Sequence, residues 1–294
     1  MKRILFALTV CAGMLFSGQA LGAHSRYTNG AEGIKAASLP PEGIYWRVYS
    51  IYYQADKLKT NGGKSNKDFE ADVFALANRF IWTTPTKVFG ANLTMDVVIP
   101  LVYSDIKLDG AFNQHAYGLG DILVEPALLH WHGARWDTAL GVGVYMPTGE
   151  FRKGHQADPG KGYWSMFYSL GGTVYFDAEK TWSASLLARY ENHVTRQEHT
   201  RVTPGDDVHF EWGVGKAFSS GFEAGVAGYC QWQLKEDKGR NAAPGMEKAH
   251  AVGPEIGYTY APWGLNVTLR SLWEFENKNT TQGNITSLIV TKAF

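Results

Sequence analysis

The amino-acid sequence predicts an all-β fold: a transmembrane, antiparallel, up-and-down β-barrel of about twelve strands that follows a cleaved signal peptide. Three observations lead to this prediction. The chain opens with a secretory signal, apolar and polar residues then alternate with a period of two, and the connections between the alternating segments are long and short in strict turn. Bacterial outer-membrane barrels show this rhythm, with tight periplasmic turns and longer extracellular loops.

Residues 1–23 have the layout of a signal peptide, because Lys2 and Arg3 precede the apolar run Ile4–Phe16 and small residues follow it. The apolar run is shorter than the roughly 20 residues that a helix needs to span a bilayer. The cleavage point stays open among three positions, Ala20, Gly22 and Ala23. The signal indicates export, and the barrel pattern then favours the outer membrane of a Gram-negative bacterium.

Composition narrows the class of protein further. Removing Lys2 and Arg3 with the signal takes 2 of the 28 basic residues, which leaves 26 against 28 acidic residues. This near-neutral balance gives no reason to expect a nucleic-acid partner. Only Cys230 remains in the mature chain, so no intramolecular disulfide can form. A soluble periplasmic all-β protein has a similar composition, and only the arrangement along the chain argues against it.

The alternation is clearest over Asn92–Tyr103, where Leu93, Val97 and Leu101 share one face and Thr94 lies on the other. Residues two apart in a strand point to the same side of the sheet. The predicted strands are 44–54, 69–82, 91–103, 119–131, 136–146, 163–176, 182–191, 208–218, 222–233, 249–260, 265–275 and 285–294.

Aromatic residues bracket the short connections, as Phe218 and Phe222 do around Ser219–Gly221. Such rings are favoured where lipid meets water, although they could also fill the core of a soluble sandwich. An even number of strands places both mature termini on the periplasmic side. The last strand ends in Phe294 and resembles the C-terminal recognition strand of outer-membrane barrels, which predicts the outer-membrane assembly machinery as a partner.

If apolar residues face lipid, the polar residues of each alternation face the lumen. This rule nominates as lumen-lining or constriction residues Arg47, Arg79, Asp96, Asp121, Glu125, Tyr145, Arg189, Glu211, Glu223, Tyr229, Gln231, Glu255, Arg270 and Glu274. Acids and bases are mixed, so no single-sign field favours ions of one charge. Asp121 and Glu125 are expected to meet an arginine from another strand, as a constriction or merely as a brace.

Residues 24–43 carry no strand signal, in contrast to the barrel proper at 44–294. This irregular segment could plug the lumen or hang in the periplasm. No Ser–His pair has a spacing typical of a barrel enzyme, and His130, His132, His193 and His199 lack a cysteine or carboxylate at a recognised metal-site spacing. We therefore expect no catalytic residue, metal or cofactor.

Several stretches together resemble one family, the outer-membrane proteins labelled “putative meta-pathway phenol-degradation proteins”. The matching pieces are 29–36, 39–41, 118–126, 145–149, 253–258 and the closing strands. The resemblance implies a barrel linked with the catabolism of aromatic or other hydrophobic compounds, and it supplies no catalytic residues.

The sequence thus predicts a constricted channel that takes up small hydrophobic or aromatic compounds, with the lipid bilayer and these solutes as partners. A structural barrel that acts through its surface loops is the first alternative. A barrel enzyme of the outer membrane is the second.

Overall fold

The computed structural model describes residues 25–66, 68–197 and 199–294, so the predicted signal peptide lies outside the described residues. The strands are β1 Gly43–Lys59, β2 Ser65–Asn66, β3 Phe69–Val88, β4 Ala91–Leu108, β5 Phe112–Leu119, β6 Ile122–His132, β7 Trp136–Met146, β8 Ser165–Tyr175, β9 Trp182–His193, β10 Asp207–Ala217, β11 Phe222–Gln233, β12 Lys248–Tyr260, β13 Leu265–Lys278 and β14 Thr281–Ala293. A single 3₁₀ turn, Ala261–Trp263, separates β12 from β13 within the described part of the chain.

Antiparallel pairing joins the long strands in chain order, and β14 pairs with β1 to close the sheet. β5 and β6 occupy a single strand position, because β4 pairs with β5 through Leu101–Leu108 and with β6 through Asn92–Val98. At the break between them the Gly120 N–H donates to the Pro100 carbonyl at 2.8 Å. β2 is only a two-residue addition to β1. The result is a closed, twelve-stranded antiparallel barrel, which confirms the predicted fold class.

Two of the predicted long loops are largely strand instead. β4 and β5 continue as a hairpin through the region predicted as loop 104–118, and β13 and β14 shorten the predicted loop 276–284. Asp109-Gly110 allows the first hairpin, since Gly110 has a φ of 75° and the Ala111 N–H donates to the Leu108 carbonyl at 3.0 Å. An Asp-Gly pair is a strong hairpin signal, which the sequence prediction did not use.

Large apolar side chains cover the outside of the barrel, including Leu140, Leu170, Leu186, Val226 and Leu269. Exposed aromatic side chains form a band around the end of the barrel that carries the short turns: Trp136, Phe176, Trp182, Phe218, Phe222, Tyr260 and Trp263. A lipid-facing belt and an aromatic girdle are typical of membrane barrels. No helix among the described residues is long and apolar enough to cross a membrane.

Residues 25–42, called the N-terminal segment below, lie inside the barrel. The segment starts near Glu191, towards the end of the barrel that carries the long loops (the long-loop end). Its Pro40 carbonyl accepts a 3.2 Å hydrogen bond from Thr83 towards the opposite, short-turn end. Between these points its backbone packs so closely on β10 that a Cβ added to Gly213 would lie 2.7 Å from the Ile34 nitrogen. The N-terminal segment therefore runs through most of the length of the lumen.

Candidate functional site: the charged lumen and the N-terminal segment

The structure places all the predicted lumen-lining residues on the inner face of the barrel, where they meet one another or the N-terminal segment. Most of the charged ones form three groups, each centred on an arginine, and Asp121, Glu223 and Glu274 lie apart from these groups. Arg79 on β3 is the centre of the first group. Its guanidinium lies 2.5 Å from Asp96 and 3.1 Å from Glu125, which are register partners on β4 and β6.

The N-terminal segment enters this first group through Glu32. Its carboxylate lies 3.1 Å from the Arg79 guanidinium and 3.3 Å from that of Arg47, and it accepts a 2.9 Å hydrogen bond from the Tyr49 hydroxyl. Three carboxylates and two guanidinium groups are thereby joined in one partly buried network. Charge-assisted bonds of this kind are about twice as strong as bonds between neutral groups. Glu32 is thus a principal anchor of the segment.

The second group pairs Arg189 on β9 with Glu211 on β10. Tyr27 of the N-terminal segment hydrogen-bonds both side chains, and its ring lies against the guanidinium, 4.3 Å from the Arg189 Cζ. Glu211 also accepts the backbone N–H of Glu32 at 3.1 Å. The segment thus satisfies this pair with a hydroxyl and a backbone amide.

The third group is Arg270 with Glu255, which are 2.6 Å apart on β13 and β12. Arg270 donates to the Gly30 carbonyl at 2.5 Å, and Glu255 accepts from the Ile34 N–H at 3.2 Å. A Cβ on Gly33 would lie 1.9 Å from a Glu255 carboxylate oxygen. Glycine at this position therefore lets the backbone pass directly over the ion pair.

The remaining predicted residues also contact the segment or one another. Glu125 meets an arginine from another strand as expected, but Asp121 pairs at 2.6 Å with Arg26 of the segment instead. The other contacts are Glu223 with Lys35, Gln231 with Asn29, Glu274 with Tyr53 and Tyr229, and Tyr145 with Phe167.

Part of the inner wall is apolar, which the alternation rule did not predict. β3 and β4 present small apolar residues to the lumen as well as apolar residues to lipid; the inner ones are Ala71, Val73, Ala75, Ala77, Pro100 and Val102. Together with the N-terminal segment they line a cavity of about 320 Å³ that reaches Gln156 and Pro159 in the long loop after β7. Its volume lies at the lower end of the range for small-molecule sites.

A second cavity of about 310 Å³ lies beside residues 32–40 of the N-terminal segment. It is lined by Arg47, Arg189 and Arg270 among other polar groups. A cavity of only about 70 Å³ shares Ala77 with the apolar cavity and Arg79 with the polar one. Between the apolar and the polar cavity, the open space is thus smallest beside Arg79, where Tyr27 and Glu32 of the N-terminal segment pack against the wall.

Several interior residues were missed by the sequence prediction. Arg26, Tyr27 and Glu32 belong to a stretch without periodicity, so no local signal marked them. Glu191 and His209 could have been found, because they share the inner face with Arg189 and Glu211, two positions away on β9 and β10. Both are fully buried in the structure.

A closed barrel with an apolar outer belt and a charged interior defines an outer-membrane β-barrel protein. Residues 55–288 match the family described as “Putative MetA-pathway of phenol degradation”. This match covers most of the chain, so the protein belongs to that family, which confirms the resemblance found in the sequence. A comparison with curated proteins gives no match.

Solved structures show the same architecture. An outer-membrane channel from Pseudomonas putida F1 superposes with a TM-score of 0.77 at 14% sequence identity, over 92% of this chain and 100% of that one. The transport unit of the autotransporter AIDA-I from Escherichia coli gives 0.50 at 11% identity, over 96% of each chain. The translocator domain of NalP from Neisseria meningitidis gives 0.50 at 10%, over 88% of this chain and 91% of that one. At these identities the similarity concerns the fold.

Proposed function

We propose that this protein is an outer-membrane channel for the uptake of small hydrophobic or aromatic compounds, linked to their catabolism. The apolar cavity between the N-terminal segment and the β3–β4 wall carries this proposal. An aromatic ring that buries on the order of 100 Å² there gains roughly 2–3 kcal/mol. Binding of that strength is weak enough to be reversible, as passage requires. Family membership supports the link to aromatic catabolism.

In this proposal the N-terminal segment closes the channel at its charged narrow part. A solute would enter the apolar cavity from the long-loop end and remain bound there until the N-terminal segment moves. The arginine groups then contact solvent or solute in place of Tyr27 and Glu32. The mixed charges Arg79, Asp96 and Glu125 would form the constriction that remains.

For orientation we propose that the short-turn end faces the periplasm. β1 begins and β14 ends at this end, and the C-terminal Phe294 would be read there by the outer-membrane assembly machinery. The described chain starts at Ser25, towards the other end. Of the two predicted periplasmic termini, we therefore propose only the C-terminus as periplasmic. An epitope inserted at Ser220 should be inaccessible on intact cells, whereas protease should cut within loop 147–162. Labelling at Ser220 on intact cells would reverse the orientation.

The uptake proposal is tested with Ala75→Asp, which places a carboxylate in the apolar cavity. Uptake of a labelled aromatic hydrocarbon by cells that depend on this protein should fall severalfold. The control is Thr268→Asp, which adds the same charge to the polar cavity. Equal uptake in the parent, Ala75→Asp and Thr268→Asp, with normal amounts of folded barrel, would contradict the proposed path.

A further inference from the structure

Three buried side chains with metal-binding atoms meet at the long-loop end. Glu191 and His193 are two apart on β9 and share its inner face, and the β9–β10 register places Asp207 directly opposite Glu191. The His193 Nε2 lies 3.1 Å from an Asp207 carboxylate oxygen and 3.9 Å from one of Glu191. All three side chains are 0% exposed. The sequence spacing did not reveal this cluster, because the strand register assembles it.

The spacing of these atoms fits a single ion. Ligand atoms about 2.0–2.1 Å from a tetrahedral Zn²⁺ are about 3.4 Å from one another. The two measured separations, 3.1 Å and 3.9 Å, lie on either side of that value, and all three ligand atoms lie within 4.8 Å of one another. Small side-chain rotations would therefore suffice to bind the ion.

The surrounding groups hold the three ligands in place, as in established metal sites. The His193 Nδ1 lies 2.8 Å from the Ser165 hydroxyl, which leaves Nε2 directed at the cluster. The other oxygen of Asp207 accepts a 3.2 Å hydrogen bond from the Gln231 amide. Glu191 accepts the backbone N–H groups of Arg26 at 3.0 Å and Tyr27 at 2.6 Å.

The charge at this point also favours a cation. Glu191 and Asp207 are two buried carboxylates whose ion-pair partner among the described residues is His193 alone. The nearby Arg26 guanidinium is directed to Asp121, 2.6 Å away. One imidazole carries at most one positive charge and cannot neutralise two buried carboxylates, whereas a divalent ion would neutralise both.

We propose that Glu191, His193 and Asp207 bind one divalent transition-metal ion, with Zn²⁺ the best match to one imidazole and two carboxylates. Ca²⁺ and Mg²⁺ prefer sites built from oxygen atoms alone. Because Glu191 also accepts the first two described amides of the N-terminal segment beyond Ser25, the ion would fix the start of the segment to the barrel wall.

The same atoms permit another interpretation, since Ser165, His193 and Asp207 form a chain of the Ser–His–Asp type. Ser165 is 0% exposed and lines none of the cavities described above, and a nucleophile must reach its substrate. This interpretation also gives Glu191 no role. The metal site accounts for all three charged residues.

The test is equilibrium dialysis of the purified, metal-stripped barrel against Zn²⁺ and, separately, Co²⁺, with Ca²⁺ as competitor. The parent should bind one Zn²⁺ per chain, unaffected by excess Ca²⁺, and Co²⁺ should give the visible absorption of a tetrahedral site. His193→Ala and Asp207→Asn should each weaken binding by at least about 10-fold. The control His115→Ala, which removes an exposed imidazole, should bind like the parent.

The Co²⁺ spectrum is recorded on the unmodified protein, so the proposal can be judged even if a variant fails to fold. Absence of a stoichiometric ion and of a tetrahedral spectrum in the parent would overturn it. Binding that persists in folded His193→Ala and Asp207→Asn would also overturn it. Labelling of Ser165 by a serine-directed fluorophosphonate would favour the hydrolytic interpretation instead.

Discussion

The carboxylate of Glu32 lies 3.1 Å from the guanidinium of Arg79 and thereby joins the N-terminal segment to the barrel wall. Arg79 also holds Asp96 and Glu125, so a single arginine links the segment to β4 and β6. We therefore propose that the predicted lumen charges have a second role besides lining the pore. They retain the segment, and a change in these charges should alter both how often the channel opens and which ions pass.

Glu32→Gln should raise the open probability of the channel in planar bilayers, because it removes the charge that binds Arg47 and Arg79. A hydrogen bond to a charged group contributes about 1.5–3 kcal/mol, which corresponds to roughly a 10- to 150-fold shift in the closed-to-open equilibrium. Glu42→Gln is the control, since Glu42 belongs to the same segment but is exposed. Identical opening of both variants and the parent would show that Glu32 does not hold the segment.

Gly213→Ala should open the channel without a change of charge. The added Cβ would lie 2.8 Å from both the carbonyl carbon and the oxygen of Gly33, and backbone atoms cannot rotate away as a side chain can. In the control Gly257→Ala, the nearest atom is the Thr268 hydroxyl at 3.2 Å, which can move. Protease sensitivity of the segment in detergent should rise for Gly213→Ala only. Equal sensitivity of the two variants would contradict the close packing.

Ion selectivity should follow the lumen charges. Glu125→Gln leaves excess positive charge at the narrow part and should shift the reversal potential towards anion selectivity, and Arg270→Gln should shift it towards cations. Conductance should change in both variants. If both fold normally and neither quantity moves, these charges only brace the barrel.

Leu170→Arg should destabilise the barrel in bilayers by roughly 2–4 kcal/mol, because the side chain lies near mid-strand on the lipid-facing surface. Val174→Arg, four residues further on the same face of β8, lies near the aromatic girdle and should cost only about 0–1 kcal/mol. The measurement is a folding titration in lipid vesicles. If the two variants lose the same folding free energy, Leu170 and Val174 do not lie at the centre and the edge of the bilayer as proposed.

The strands could be predicted from the sequence because a membrane barrel imposes a local rule, apolar outside and polar inside, on every second residue. The rule also found the arginine groups, since Arg189 and Arg270 each stand within an alternating strand. It failed on β3 and β4, where Ala75 and Val102 are apolar yet face the lumen. Small apolar residues are tolerated on the lipid-facing side and on the lumen-facing side of a strand. Only the three-dimensional structure shows which side they occupy.

The occupants of the lumen could not be predicted, because their contacts are distant in sequence. Arg26 meets Asp121 and Glu32 meets Arg79 only after the segment has entered the closed barrel. Without a periodic pattern, the choice between a plug and a periplasmic tail had no local basis. The pairing of Glu191 with Asp207 likewise depends on strand register, because the two residues are sixteen positions apart in the sequence.

The most direct test of the account is the single-channel conductance of a variant that lacks residues 25–38, compared with the parent in planar bilayers. The barrel sheet begins at Gly43, so the deletion leaves every strand intact, and heat-dependent migration on gels can confirm folding. The account predicts that the parent is mostly closed and that the deletion variant forms a stable open pore of higher conductance. A folded deletion variant with the conductance of the parent would contradict the claim that the N-terminal segment closes this channel.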